Sequence, residues 1–461
     1  PLPRPAGSDA MSKKTLYFLG IILCCFAFSL MPPPEGLTSK GWISIIFMMA
    51  AVLFWVTEAL PIAFAAILFT ILPAVFHIAP LPAMMANFAT PTVFFVFAMF
   101  VVSIAFRNSG FSRRIVLWAS MKSKGSPRRL LLYLMMAGSL LSTILADIPV
   151  MAMLVPVALV ILQGNRCAPG DSSFGRALMI GLPFACLIGG VGTPAGSSMN
   201  AMTIGLLKDT ANVNISFLEW ACVGLPMVLI LTPIAWFFTI KAYPPEMDSL
   251  VGMETVEQEY RALGPLSSRE LKFLIIMLAN MALWMTDTIH HIPLPVACVL
   301  GSALFLLPGL NLIDWKKDSH GIGWEVLMVI GAANSLGVLL WVTVILAVLF
   351  VYPVYFAVIS AFTVAVHLIV PVNTALVAVM CPALAALSAD MGVNAAMLCI
   401  PLGFSVSAAL LLPLDPVSLV SYDAGYYKMG DMFKPGLLIS VFWVAVMTGV
   451  MLLIARPLGL M

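Results

Sequence analysis

The sequence predicts an all-α polytopic membrane protein, and three observations carry that expectation: its hydropathy, the length of its apolar runs, and the breaks inside several of them. Of 461 residues, 62% are hydrophobic and only 10% charged, with a mean hydropathy of +1.06. Soluble domains carry roughly 45–50% apolar and about 25% charged residues, and none hides this much apolar surface. A helix needs about 20 apolar residues to cross a bilayer. Candidate runs stand near 15–31, 42–56, 60–78, 92–106, 130–162, 177–206, 220–240, 271–285, 294–308, 322–359, 361–390, 394–421 and 437–455. Several are long enough for two passes or a break. Lipid gives the backbone no hydrogen-bond partner, so spanning segments are helices or closed barrels, and these runs are too long for barrel strands.

The net charge of +2 argues against a nucleic-acid partner, because the Lys and Arg residues lie in short loops and form no basic stripe. Arg107, Arg113, Arg114, Lys122, Lys124, Arg128 and Arg129 cluster between apolar runs and read as cytoplasmic by the positive-inside rule, as do Lys13 and Lys14. Residues 1–10, PLPRPAGSDA, precede Met11 and read as an expression scar with no bearing on the fold. The expected location is the cell membrane, multi-pass, which is the inner membrane in a bacterium. The eight cysteines (24, 25, 167, 186, 222, 298, 381, 399) show no paired spacing and read as packing residues. His77, His290, His291, His320 and His367 form no ligand cluster. No organic cofactor is expected, and no metal beyond a coupling Na+.

One long polar stretch, about 242–270, divides the apolar chain roughly in half. The expected organisation is N-terminal scaffold helices over 11–78, a first repeat over 79–241, a linker over 242–270 and a second repeat over 271–461. Three pairs of signals recur in the same order, as in many transporters. ATPTVFFVFAMFVVSIAF (89–106) faces IGWEVLMVIGAANSLGVLL (322–340), and both are candidate re-entrant hairpins. TILADIPVMAMLVPVAL (143–159) faces LIVPVNTALVAVMCPAL (368–384), with breaks at Asp147 and Asn373. GGVGTPAGSSMNAMTIG (189–205) faces LLLPLDPVSLVSYDAG (411–425), where Gly, Pro, Ser and Asp interrupt a spanning run.

Such breaks release backbone N–H and C=O groups at membrane depth, which is tolerated only where they are buried in protein or line a wet cavity. They therefore point to a site. Half-helix N-termini bring partial positive charge and unpaired N–H donors to an anion without any Arg, and the unwound carbonyls beside them can hold a cation.

WVTEALPI (55–62), ATPTVFF, GGVGTPAGSSMN, GWEVLM (323–328), VNTA (372–375) and GYYKMGDMFKPG (425–436) resemble the divalent anion:sodium symporter family of carboxylate and sulfate transporters, from about Gly36 to the C-terminus. The resemblance implies inverted repeats with two hairpins, a homodimer, an elevator motion, and two Ser-Asn-Thr motifs that bind substrate carboxylates and sodium ions. Here the second motif is Val372, Asn373 and Thr374; the first is Ala146, Asp147 and Ile148. Gly196, Ser197 and Asn200 match the family's first later loop, Asp415 and Pro416 stand in the second, and Ser142 matches a cation-site serine. The implied substrate contacts are Asn373, Thr374, Ser197, Ser198, Asp147 and Pro416. The implied cation ligands are Asp147, Ser142, Gly196, Asn373 and Asp415. From Glu325 to Asn373 the second repeat is shorter than the first is from Thr92 to Asp147.

An intramembrane carboxylate costs about 2.5–3.5 kcal/mol on insertion scales and marks a functional site. A bare Asp beside an anion would repel it, so Asp147 and Asp415 are expected to be compensated by Na+ or a proton, with helix capping as the bland alternative. Glu58 could be a turn acid between two spans. The expected function is secondary transport, by symport or exchange, of small dicarboxylates such as succinate, malate or 2-oxoglutarate, coupled to Na+ or H+, with sulfate, another oxyanion or citrate as alternatives. An enzyme is disfavoured: there is no His-Glu-x-x-His, and Lys428 stands where the first Gly of Gly-x-Gly-Asp would precede Gly430 and Asp431. A channel would show flux without saturation or coupling. The expected partners are the anion, membrane lipid and a second copy of the chain.

Overall fold

The computed structural model describes residues 8–33, 39–57, 59–251, 253–339, 352–367 and 373–460. These residues form helices joined by turns, with no strand among them. The N-terminal helices are α1 (Ser8–Ser29), α2 (Ser39–Thr57), α3 (Ile62–Val75) and the short α4 (Leu81–Ala86). Residues 8–10 belong to α1, so the segment read as a scar enters the first helix. Glu58 and Val372 lie outside the described residues, as does the side chain of Thr374.

The first half continues with α5 (Pro91–Ser109), α6 (Phe111–Lys122), α7 (Pro127–Ser142), α8 (Asp147–Gly164), α9 (Ser173–Gly190), α10 (Ser198–Ala211) and α11 (Phe217–Ala242). After α12 (Met253–Ala262) come α13 (Ser268–Met285), α14 (Asp287–His290), α15 (Leu294–Leu304), α16 (Trp315–Asp318), α17 (Trp324–Leu339), α18 (Tyr352–Val366), α19 (Asn373–Asp390), α20 (Ala396–Ser405), α21 (Pro416–Tyr422) and α22 (Phe433–Val450).

Two expectations are corrected here. The runs 89–106 and 322–340 hold no hairpin: α5 and α17 are continuous helices, since small residues alone remove neither a hydrogen bond nor a donor. The first hairpin is instead α7 and α8, which meet in the turn Thr143–Ala146 just before Asp147. In the second half the matching elements are α18 and α19, the latter starting at Asn373; residues 368–372 between them lie outside the described ones. The expected broken helices are present, α9 and α10 parting over 191–197 and α20 and α21 over 406–415.

α9 and α20 are the axis of the molecule. Sixteen residues of α9 and all ten of α20 are buried, the all-round burial of helices sheathed by other helices. Trp220 of α11 stacks on Phe404 of α20 with ring centroids 4.7 Å apart, joining the halves. Two reciprocal contacts also cross between them: α10 packs on α19, and α21 packs on α8. In each, the second half of one broken helix lies against the second arm of the other hairpin, as two repeats related by a pseudo-two-fold require. Large apolar side chains such as Leu23, Phe26, Val441 and Leu453 face outward, a surface that only lipid or another protein satisfies. Among the described residues, five helical stretches are long and apolar enough to span a bilayer.

The polar stretch 242–270 packs back onto the basic cluster. Arg114 forms a fork to Glu270, Nε to Oε1 at 2.7 Å and Nη2 to Oε2 at 3.0 Å. Its Nη1 donates to the Gly264 carbonyl at 2.8 Å and Nη2 to that of Pro265 at 3.1 Å. Helix α12 lies on α6. Upstream, Glu246 accepts from the Ser172 hydroxyl and from the Phe174 N–H, and Leu250 N–H donates to Gly125 at 2.8 Å. Burial alone would raise the Glu246 carboxyl, but those hydrogen bonds and Arg176 hold it below the usual carboxylate value.

Candidate functional site

The first break is built by glycines. Helices α7 and α9 approach so closely that a Cβ on Gly189 would overlap the Ser139 carbonyl. One at Gly196 would stand 2.5 Å from the Gly190 carbonyl oxygen and 2.6 Å from that of Ser142. Thr193 closes the loop, its hydroxyl donating to the Thr143 carbonyl in the hairpin turn and accepting from Ala195 N–H at 3.2 Å. The Asn200 amide donates to the carbonyls of Gly190 at 2.8 Å and Thr193 at 2.7 Å. These contacts keep helix α9 from running on into α10.

Asp147, first residue of α8, points into this frame. A Cβ on Gly190 would meet its Oδ2 at 3.2 Å and the Gly196 carbonyl oxygen at 3.7 Å. The Ser142 hydroxyl is fully buried and has no hydrogen-bond partner among the described residues, and the same holds for Asn200 Oδ1. The Asp147 carboxylate thus stands beside loop carbonyl oxygens, a donor set that suits a hard cation. Asp147 also lines a cavity of about 50 Å3 with Ser198, Ala146, Ala195 and the apolar side chains of α5 and α17, among them Met99 and Val326. Among the described residues, no Lys, Arg or His lines it.

In the second half, Asn373 opens α19 and Asp415 caps α21. Asn373 Nδ2 donates to Asp415 Oδ2 at 2.7 Å, and Val417 N–H donates to Asp415 Oδ1 at 2.8 Å. Asn373 Oδ1 is buried without a partner among the described residues. The packing of α21 on α8 and of α10 on α19 sets the two breaks side by side. Around them stand the N-terminal ends of α8, α10 and α19, with the short α21 alongside.

The sequence-expected residues are distributed as follows. Asp147, Ser142 and Gly196 come together in the first break, and Ser198 shares the Asp147 cavity. Ser197 caps α10, its Oγ accepting from Met199 N–H at 3.4 Å. Asn373 and Asp415 are bonded to each other, and Pro416 is the first residue of α21. Three residues joined to this frame were missed as participants. Gly190 and Thr193 were visible only as members of a Gly-rich stretch. His367, at the end of α18, is buried and lies 2.6 Å through Nε2 from the Val406 carbonyl oxygen. It lines a small cavity with Asp415.

Comparison with known proteins agrees with this architecture. The family model for the sodium:sulfate symporter transmembrane region matches residues 12–461. A membrane protein of Cupriavidus necator is 26% identical over 90% of this chain and 87% of its own. A sodium-dependent dicarboxylate transporter of Staphylococcus saprophyticus is 25% identical over 92% of this chain and 88% of its own, and a Staphylococcus aureus transporter of the same name is 24% identical over 91% and 86%. Among solved structures, MtrF of Neisseria gonorrhoeae superposes with a TM-score of 0.51 at 12% identity over 97% of this chain and 95% of its own. The YdaH transporter of Alcanivorax borkumensis does so at 0.50 and 14% over 98% and 100%. Apolar multi-helix architecture, paired breaks and a family match along nearly the whole length lead to one conclusion: this integral membrane protein belongs to the sodium:sulfate symporter family of transporters.

Proposed function

We propose that the protein is a Na+-coupled secondary transporter of small dicarboxylic acids that works as a homodimer by an elevator motion. The observation that carries the reading is the oxygen-lined position of Asp147, set beside helix N-termini and an apolar wall with no basic side chain among the described residues. The cation sits among Asp147, the Gly190 and Gly196 carbonyls and the Ser142 hydroxyl. The anion meets the N-terminal end of α10 at Ser198 and that of α19 at Asn373. Met99, Phe100 and Val326 suit the methylene chain of a short diacid better than the all-oxygen surface of sulfate. The names of the staphylococcal relatives support the same substrate class and ion. Cation and anion neutralise each other in the site, which is why one would not move without the other.

Uptake of radiolabelled succinate into proteoliposomes tests this, with Na+ and pH gradients imposed separately and malate, 2-oxoglutarate, citrate and sulfate as competitors. Saturable uptake driven by a Na+ gradient, with Na+ dependence altered in Asp147→Asn, is the expected result. Uptake only into vesicles preloaded with a carboxylate would make the protein an exchanger, and competition by sulfate alone would remove the dicarboxylate reading.

A further inference from the structure

We infer that the corner between α6 and α7 binds the headgroup of an anionic phospholipid, from the leaflet on the basic side of the membrane. Lys122, Lys124, Arg128 and Arg129 fall within residues 122–129, and all four are exposed. Lys124 and Gly125 both take left-handed backbone, with φ of 49° and 75°, and this tight reversal brings the end of α6 to the start of α7. Arg128 and Arg129 lie in the first turn of α7, whose N-cap Ser126 supplies no side-chain bond. A helix N-terminus carries about half a positive charge, so these cations crowd the wrong end of the dipole. Among the described residues none of the four forms an ion pair. Glu259 and Glu270, on the segment packed against α6, are taken by Arg113 and Arg114. Asp248 lies two positions before Leu250, whose N–H reaches the Gly125 carbonyl, and offsets one charge at most. The corner needs an anion from outside the chain.

Its surroundings say which anion. Among the described residues two lysines sit over aromatic rings, and both flank this corner. Lys122 Nζ is 5.9 Å from the ring centroid of Trp118, one turn earlier on α6, and Lys241 Nζ is 5.9 Å from that of Phe237, one turn earlier on α11. Trp236, beside Phe237, donates its Nε1–H to the Arg128 carbonyl at 2.9 Å, which fixes α11 against the first turn of α7. Trp118 and Phe237 are exposed, as are Leu229 and Ile230 further along α11, so apolar surface continues from the basic rim. At a membrane interface such rings sit at headgroup level while lysines reach the phosphates. A free phosphate uses the charges and leaves the rings and the apolar face bare; a phospholipid covers both. The positive-inside rule accounts for the side of the membrane on which these residues stand, but not for their clustering without counter-charge at a helix N-terminus. Helix α7 runs from the corner to the turn before Asp147, so a bound lipid anchors the far end of the first hairpin.

The test titrates the purified protein in a neutral detergent with short-chain phosphatidylglycerol, with phosphatidylcholine of the same chains, or with inorganic phosphate. The readout is the unfolding midpoint, which a ligand of the folded state raises. Two fourfold variants are compared with the unaltered protein. One carries Lys122→Gln, Lys124→Gln, Arg128→Gln and Arg129→Gln; the control carries Arg166→Gln, Lys316→Gln, Lys317→Gln and Lys434→Gln, exposed cations elsewhere. Phosphatidylglycerol alone is expected to raise the midpoint of the unaltered protein, and less so in high salt. A cation beside an anionic lipid surface is worth about fivefold in binding, so the corner variant is expected to need about a hundredfold more lipid or beyond. The control variant should need as much as the unaltered protein. Lys122→Gln and Arg129→Gln singly, each expected to cost about fivefold, carry the test where the fourfold variant does not fold. Equal stabilisation by phosphatidylcholine, stabilisation by inorganic phosphate to the same extent, an undiminished response of the corner variants, or equal loss in the control overturns the inference. No outcome depends on the identity of the transported substrate.

Discussion

The His367 imidazole and the Val406 carbonyl, 2.6 Å apart, tie the C-terminal end of α18 to the first residue after α20. The carbonyl only accepts, so Nε2 carries the proton. In the first half the tie runs the other way, from the Thr193 hydroxyl in the break to the Thr143 carbonyl in the hairpin turn.

Removing the imidazole leaves a buried carbonyl without its donor. His367→Ala is expected to cost about 2–3 kcal/mol, combining a lost hydrogen bond with an unsatisfied acceptor. His367→Gln, which keeps an N–H donor, should recover a large part of this. Unfolding midpoints of the two variants in detergent check the ordering; equal midpoints would show that the bond holds nothing.

Gly196→Ala places a methyl group against two backbone oxygens, at 2.5 and 2.6 Å, neither of which yields as a side chain does. Overpacking of this kind costs about 1–3 kcal/mol or more, and here the strain falls on the oxygen frame around Asp147. The expected result is a lowered midpoint with a weakened Na+ response of transport. Gly449→Ala in α22 meets open space and is expected to stabilise by about 0.5–1 kcal/mol through helix propensity, which makes it the control.

Arg114 and Glu270 are both largely buried, with side-chain exposures of 13% and 5%. Breaking such a pair from one side costs about 3–5 kcal/mol, so Arg114→Ala should loosen α12 and the stretch around it. Arg114→Lys is expected to restore little, because an ammonium cannot reproduce the two-pronged contact and the carbonyl bonds together. Limited proteolysis over residues 242–267, compared among the three proteins, reads this directly.

The Glu246 carboxyl is held below its ordinary value of 4.5, and the sign of its linkage follows. A folded-state value below the unfolded one gives stability that is present above pH 4.5 and is lost as pH falls through the folded value. The unfolding midpoint of the native protein should exceed that of Glu246→Gln at pH 7, and the gap should close below pH 4. Its size will be small, since Glu246 is only partly withdrawn from solvent and water screens it. A gap that widens on acidification would contradict the assignment.

Much of this architecture is legible in the sequence, and the exceptions share a cause. Pro, Gly and Asp inside apolar runs announce both broken helices, because each of those residues removes a backbone bond or adds a charge that lipid does not accept. The hairpin at Thr143–Ala146 was legible as a break at Asp147 but not as a reversal, since a reversal and a crossing have the same hydropathy. The run 89–106 misled for the same reason. The stretch 242–270 reads as a linker because its order depends on Arg114 finding a partner 156 positions away. The Asn373 to Asp415 bond likewise joins residues 42 positions apart, and no local pattern predicts which amide a given carboxylate will reach. His367 looked inert because a lone histidine in an apolar helix is usually a packed one.

The reciprocal packing of α10 on α19 and α21 on α8 bears on how the protein is made. When the ribosome has released α11, the first hairpin and first broken helix are present, but each still lacks the neighbour that arrives later in the second half. A nascent chain halted there would carry Asp147 and its loop carbonyls without their lid, as a substrate for membrane quality control. Assembly must therefore wait until α21 is inserted, and two separately expressed halves should survive in a cell only when they are produced together.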